Sequence, residues 1–198
     1  MTDTALVPTK TALDALKRTT ERSSLDDLVA ARTRRSLLLV DVSSSMSETV
    51  RKTMQRKIDA LRTVVTGLRK THPVPMAAFG LRSGSPVELV ETIPEPQGMT
   101  PLHKAIAYGR EQGANHLVVV TDGCPDSESA AYAEADAFKG PIDVFYIGNG
   151  GDHGAAFCAA LAKRTGGQCG LTDLAGDGEQ KKLAGKIVAL LGDGSEVL

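Results

Sequence analysis

Two uninterrupted apolar runs, each closed by an aspartate, constrain this chain more than any other feature. Leu37-Leu38-Leu39-Val40 leads into Asp41, and Leu117-Val118-Val119-Val120 leads into Thr121 and Asp122. A strand with one wet face alternates apolar and polar residues, whereas a run without a polar break suits a strand buried on both faces. Such strands belong to parallel sheets covered by helices on either side. An aspartate directly after the run then stands at the rim of the sheet, where ligands of open α/β sheets bind.

The remaining pattern alternates in the same sense. Thr49 to Lys70 carries Met54, Ile58, Leu61, Val65 and Leu68 at spacings of three and four, which predicts a helix. Val74 to Gly80 and Val87 to Ile93 read as short strands joined by a turn at Arg82-Ser83-Gly84-Ser85-Pro86, a hairpin that adds one antiparallel edge strand. Helices are predicted over Pro101–Gln112, Ser127–Phe138, Ala155–Arg164 and Glu179–Leu191, and strands over His116–Thr121, Ile142–Ile147 and Cys169–Leu171. The expected fold is α/β: a doubly wound, mostly parallel six-stranded sheet with helices on both faces. Residues 1–35 stand apart. They are dense in charge and place Leu13, Leu16, Leu25, Leu28 and Val29 at helical spacing, with Ser24 before Asp27 as a helix start;. They are expected to form an amino-terminal extension to a domain spanning 36–198.

Charge and cysteine content remove several classes of function. Lys and Arg total 23 against 24 Asp and Glu, so no field favours nucleic acid or an anionic membrane. No apolar run reaches the ~20 residues of a membrane-spanning helix, and Met1 to Lys10 lacks the pattern of a signal peptide. A cytoplasmic location is the expectation. Cys124, Cys158 and Cys169 show no Cys-x-x-Cys spacing and are expected to be reduced thiols.

The chemistry gathers at predicted strand ends. Asp41-Val42-Ser43-Ser44-Ser45 follows the first buried strand, Thr121-Asp122-Gly123 follows the second, and Gly98-Met99-Thr100-Pro101-Leu102 lies just before a helix. A curved loop at residues 41–45 brings the oxygens of Asp41, Ser43 and Ser45 together. Two carboxylates with several hydroxyls form a hard, weakly charged oxygen set of the kind Mg²⁺ accepts. The absence of His and Cys from the set argues against zinc.

Asp-x-Ser-x-Ser, a distant Thr and a later Thr-Asp-Gly together resemble the metal-ion-dependent adhesion site of the von Willebrand factor A family. Met99-Thr100-Pro101-Leu102 is similar to that family's Gly-Thr-Pro-Leu loop, and the resemblance covers roughly residues 36–192. It implies one divalent ion, Mg²⁺ with Mn²⁺ or Ca²⁺ as alternatives, at a site made by Asp41, Ser43, Ser45, Thr100 and Asp122. It implies that Ser43, Ser45 and Thr100 coordinate directly or in exchange with water. Asp41 and Asp122 then act largely through bound water and hydrogen bonds. The implied function is a non-enzymatic binding module that takes an acidic side chain of a protein partner at an open metal position. Relatives of this kind imply an adaptor in a bacterial or phage complex, with an AAA-type ATPase or a stress-response complex as partner. A Mg²⁺-dependent phosphate hydrolase is the alternative; against it, no nucleophile–base pair is evident, and His153 is the single candidate base nearby.

Other polar residues are expected to play local parts. Ser44 and Ser47 read as turn residues, Asp126 as the cap of the following helix or else a rim of the binding face, and Cys124 as a small, partly buried filler in preference to a redox-sensitive neighbour of the metal loop. Asp152 and His153 read as a solvated loop that could instead line a partner surface. His72, His103 and His116 read as surface or locally hydrogen-bonded residues.

Overall fold

The computed structural model describes residues 34–50 and 52–191. The extension expected over residues 1–35 therefore lies outside the described residues as far as residue 33. Strands β1 (Ser36–Asp41), β2 (Met76–Phe79), β3 (Val87–Leu89), β4 (His116–Thr121), β5 (Ile142–Ile147) and β6 (Cys169–Thr172) form one sheet in the order β3-β2-β1-β4-β5-β6. All neighbours pair in parallel except β2 with β3. Helices α1 (Lys57–Thr71), α2 (Leu102–Glu111), α3 (Glu128–Ala137), α4 (His153–Thr165) and α5 (Asp177–Leu191) alternate with the strands. The doubly wound α/β fold expected from the sequence is the fold observed.

The apolar runs do what their pattern requires. Leu38, Val40, Val118 and Val120 join Ile58, Leu61, Val65, Leu183 and Ile187 in a core beneath α1 and α5. Leu37, Leu39, Leu117 and Val119 pack on the opposite face with Leu102, Ile106, Ala131, Phe157 and Leu161 from α2, α3 and α4. Every residue of β1, β4 and β5 is buried. Burying a large aliphatic side chain contributes about 1.5–3 kcal/mol, so these strands anchor the domain.

Two element boundaries differ from expectation. Helix α1 begins at Lys57, not Thr49. Thr49 instead forms an antiparallel bridge to Arg56, and Val50 N–H donates to the Gln55 carbonyl at 2.8 Å. Met54 fits the helical stripe in sequence, yet it has φ 55° and is 77% exposed. Its spacing coincides with the helix period although its backbone is in a turn. Strand β3 is only three residues long. Val90 N–H still donates to the Met76 carbonyl at 2.9 Å; beyond it the chain leaves the sheet, and Arg62 donates to the carbonyls of Ile93 and Pro94 at 3.1 and 2.8 Å.

The order of strands matters for function. From β1 the chain moves outward through β2 and β3, then crosses back to place β4 on the other side of β1. The order therefore reverses between β1 and β4, and their carboxyl ends flank the crevice where such sheets bind ligands.

Candidate metal centre

β1 and β4 are in register through Val40 and Val120, so Asp41 and Thr121 leave the sheet side by side. Asp41 is fully buried. Its Oδ2 accepts a 2.5 Å hydrogen bond from the Thr121 hydroxyl, and its Oδ1 accepts from the Ser43 N–H at 2.7 Å. Burial pushes the Asp41 carboxyl up to about 7; the neighbouring Asp122 charge adds to the rise, while bonds from Thr121 and Ser43 oppose it. The second bond curves the chain after β1. Ser44 to Ser47 make a short 3₁₀ turn that aims Ser43 and Ser45 toward β4.

The serine hydroxyls meet at the end of β4. Ser43 Oγ lies 3.1 Å from Ser45 Oγ, and Ser45 Oγ donates to Asp122 Oδ1 at 2.6 Å. Thr100 joins from the loop before α2. A Cβ placed on Gly123 would lie 3.5 Å from Thr100 Oγ1 and 3.8 Å from Ser45 Oγ. The glycine thus leaves open the space that these hydroxyls face.

The loops are locked together by backbone contacts. Gly80 has φ 101° and a Cβ there would lie 2.7 Å from the Met99 carbonyl, while Gly98 has φ 70° and a Cβ there would lie 2.3 Å from the Gly80 carbonyl. Only glycine accepts both the left-handed backbone and the approach. Ser44 donates to the Gly98 carbonyl through its N–H at 3.2 Å and its hydroxyl at 3.0 Å, consistent with a turn role. Asp126 is not a helix cap. Its carboxylate accepts the Thr100 N–H at 2.8 Å and its own N–H donates to the Thr100 carbonyl at 3.0 Å. Ser127 caps α3 instead, accepting from the Ala130 N–H at 3.2 Å.

Two charged residues at this site were not singled out in the sequence. Lys57 Nζ lies 2.7 Å from Asp122 Oδ2 and 2.8 Å from Glu48 Oε2. The Asp122 side chain is fully buried and that of Lys57 only 17% exposed. Burial works against the ammonium, but its bonds to Asp122 and Glu48 outweigh this and hold its pKa above the ordinary lysine value. Glu48 reaches Lys57 because the loop before α1 folds back, with Lys57 N–H donating to the Glu48 carbonyl at 2.9 Å. One signal was present once α1 is placed: a lysine at a helix start opposes the helix dipole, so a carboxylate must hold it there.

The donor set suits a hard divalent cation. Ligands about 2.1 Å from an octahedral Mg²⁺ sit roughly 3 Å apart at adjacent vertices, close to the separation of the two serine oxygens. A hydroxyl that gives a lone pair to a cation still needs an acceptor for its proton, and Asp122 supplies one for Ser45. Among the described residues no group of three or more His, Cys, Asp or Glu is placed to share an ion, so hydroxyls carry this set.

The other singled-out residues fall around or away from the site. Asp152, Tyr146, Asn149 and Asp173 line a 590 Å³ cleft with Lys57 and Asp122. His153 is exposed and bonded to Glu128 at 2.6 Å. Cys124 is exposed, not partly buried, and no disulfide links the three cysteines. His116 is not a surface residue: it is fully buried, bonded to Ser36 and Asp143 at 2.7 Å each.

No protein-family model matches the chain, and no curated protein matches it. Solved structures do. A D319A mutant of the PilB minor pilin from Streptococcus sanguinis is similar at TM-score 0.56 and 13% identity, over 79% of this chain and 60% of that one. A von Willebrand factor type A protein from Catenulispora acidiphila is similar at TM-score 0.56 and 15% identity, over 77% of this chain and 42% of that one. The fold is of the von Willebrand factor A type. This chain spans less than two thirds of either structure's length. In this A-type fold the oxygen cluster described above sits at the reversal point of the sheet. No helix among the described residues is long and apolar enough to cross a membrane.

Proposed function

We propose that this A-type domain holds one divalent cation, Mg²⁺ ahead of Mn²⁺ or Ca²⁺, and uses it to bind a protein partner through an acidic side chain. The observation that carries the reading is the 3.1 Å approach of the Ser43 and Ser45 hydroxyls, octahedral spacing for adjacent ligands, with the Ser45 and Thr100 hydroxyls both facing the space beside Gly123. Ser43, Ser45 and Thr100 are the direct ligands in this reading. Asp41 fixes Ser43 through its backbone N–H, and Asp122 takes the Ser45 proton, so both act by orientation and through bound water. An ion held by neutral hydroxyls and water stays electrophilic and accepts an anionic oxygen from outside. The partner class proposed is an AAA-type ATPase or stress-response complex in the bacterial or phage cytoplasm, with this chain as adaptor; family resemblance alone supports that part.

The reading is non-enzymatic. No side chain at the cluster is arranged as a nucleophile with a base: Ser45 donates to a carboxylate already paired with Lys57, and His153 is engaged by Glu128. The test is titration calorimetry with Mg²⁺ on wild type, Ser43→Ala and Asp122→Ala. Binding of one ion by wild type and loss in both folded variants is expected, while undiminished affinity in both would remove the site. Mg²⁺-dependent hydrolysis of a phosphate ester, lost in Asp41→Ala, would favour a hydrolase instead.

A further inference from the structure

We propose that Lys57 is a built-in counter-cation that competes with the divalent ion for Asp122 and so sets how tightly the site holds metal. The inference rests on the cation-site reading above.

Both oxygens of the buried Asp122 carboxylate are committed, Oδ1 to the Ser45 hydroxyl at 2.6 Å and Oδ2 to the Lys57 ammonium at 2.7 Å. Ser45 is itself a proposed ligand, so the ammonium and the ion answer to opposite edges of one carboxylate. A buried carboxylate without a compensating charge is costly, and Lys57 supplies that charge within the chain. Two consequences follow. The loops stay assembled without help from metal, because Asp122 is never left unpaired. An arriving divalent cation meets a positive charge already spending the Asp122 field, so its affinity is held down.

Glu48 tunes the competition. It gives Lys57 a second carboxylate, 2.8 Å away and on an exposed side chain, toward which the ammonium can shift when an ion takes over Asp122. Without Glu48, Lys57 would rest wholly on Asp122. The fold-back of residues 49–56 places Glu48 there, so this loop acts on the metal site although it supplies no ligand.

The competition predicts effects of opposite sign. Lys57→Met keeps the stem but removes the charge. It should lower the melting temperature in EDTA, since Asp122 loses its partner, yet bind Mg²⁺ and Mn²⁺ at least tenfold more tightly by calorimetry, since repulsion by a unit charge close to a divalent ion exceeds that factor even at solvent-like dielectric. A merely structural lysine would lower both. Lys57→Arg keeps the charge and should bind metal within about threefold of wild type. Glu48→Gln, an exposed change that leaves folding intact, should weaken binding three- to tenfold, because it strengthens the grip of Lys57 on Asp122 and removes a negative charge. Should Lys57→Met fail to fold, the Glu48→Gln titration decides. Metal binding by Lys57→Met no tighter than by wild type, or by Glu48→Gln no weaker, overturns the proposal while leaving the cation site standing. Absence of divalent binding in wild type and every variant overturns both.

Discussion

Strands β1 and β4 carry polar residues at both ends, and the two ends are finished differently. At the amino end Ser36 Oγ lies 2.7 Å from His116 Nδ1, His116 Nε2 lies 2.7 Å from Asp143 Oδ2, and Asp143 Oδ1 accepts the Gln168 N–H at 2.6 Å. All three side chains are buried. The order Ser–His–Asp is that of a nucleophilic triad, but no substrate can reach a serine sealed beneath a sheet. Donors and acceptors there match one to one, and the network staples β1, β4 and β5 together. At the carboxyl end the carboxylates of Asp41, Asp122 and Glu48 meet the hydroxyls of Ser43 and Ser45 and the N–H of Ser43, and Lys57 is the cation among them. Similar residue types make a closed staple where carboxylate, imidazole and hydroxyl pair under cover, and at the other rim a cluster of hydroxyls and carboxylates, the one proposed above to take a cation.

Mutations at the two ends should therefore separate stability from metal binding. The largest expected effect is at the closed end: His116→Ala should destabilise the domain by about 3–5 kcal/mol, since it opens a cavity and strands the buried Asp143. Urea unfolding measures this, and calorimetry should find Mg²⁺ affinity within twofold of wild type. A large affinity change would mean the two ends are coupled. Ser45→Ala should do the reverse, weakening Mg²⁺ binding by a factor of about a hundred, roughly 2.7 kcal/mol, while unfolding shifts by less than about 1 kcal/mol. Thr121→Val lies between. It removes the hydrogen-bond donor from buried Asp41 and should cost about 1–3 kcal/mol of stability along with some metal affinity, a double effect because Asp41 is buried and also holds the Ser43 N–H. The smallest is Asp126→Ala. Loss of its bond to the Thr100 N–H should loosen one ligand loop and weaken Mg²⁺ binding by a few-fold, with under about 1 kcal/mol lost in unfolding; an unaltered titration would show that Thr100 is held by its other contacts.

What could be read in advance follows the range of each interaction. β1, β4 and β5 were legible nearly to the residue because burial on both faces demands an unbroken apolar run. The start of α1 was misread because Met54 kept the helical period while its backbone had turned over. Asp41, Ser43, Ser45, Thr100 and Asp122 were singled out from strand-end position and a familiar arrangement of oxygens, and they lie on one rim of the sheet. Lys57 and Glu48 were passed over, and Thr121 was read only as part of the Thr-Asp-Gly motif, because their parts depend on a register and a loop fold that no local pattern encodes. Asp126 looked like a cap by position; Ser127 has that role, and the carboxylate was free to serve Thr100. His116 was read only as a surface or locally hydrogen-bonded residue because its partners, Ser36 and Asp143, are 80 and 27 residues away.

The uneven exposure of the three thiols offers a practical handle. Burial pushes all three thiols up, with the Glu128 and Asp152 charges adding to the rise at Cys124, so access separates them: Cys158 is fully buried and Cys169 half-buried. Cys124 alone is exposed, two residues beyond Asp122 in the chain. A maleimide dye or nitroxide should therefore attach at one place, without cysteine removal, on the loop that carries Asp122. Paramagnetic Mn²⁺ would quench such a label on entering the site, and an arriving partner would change its mobility. The native chain thus carries its own reporter for each binding event ascribed to it.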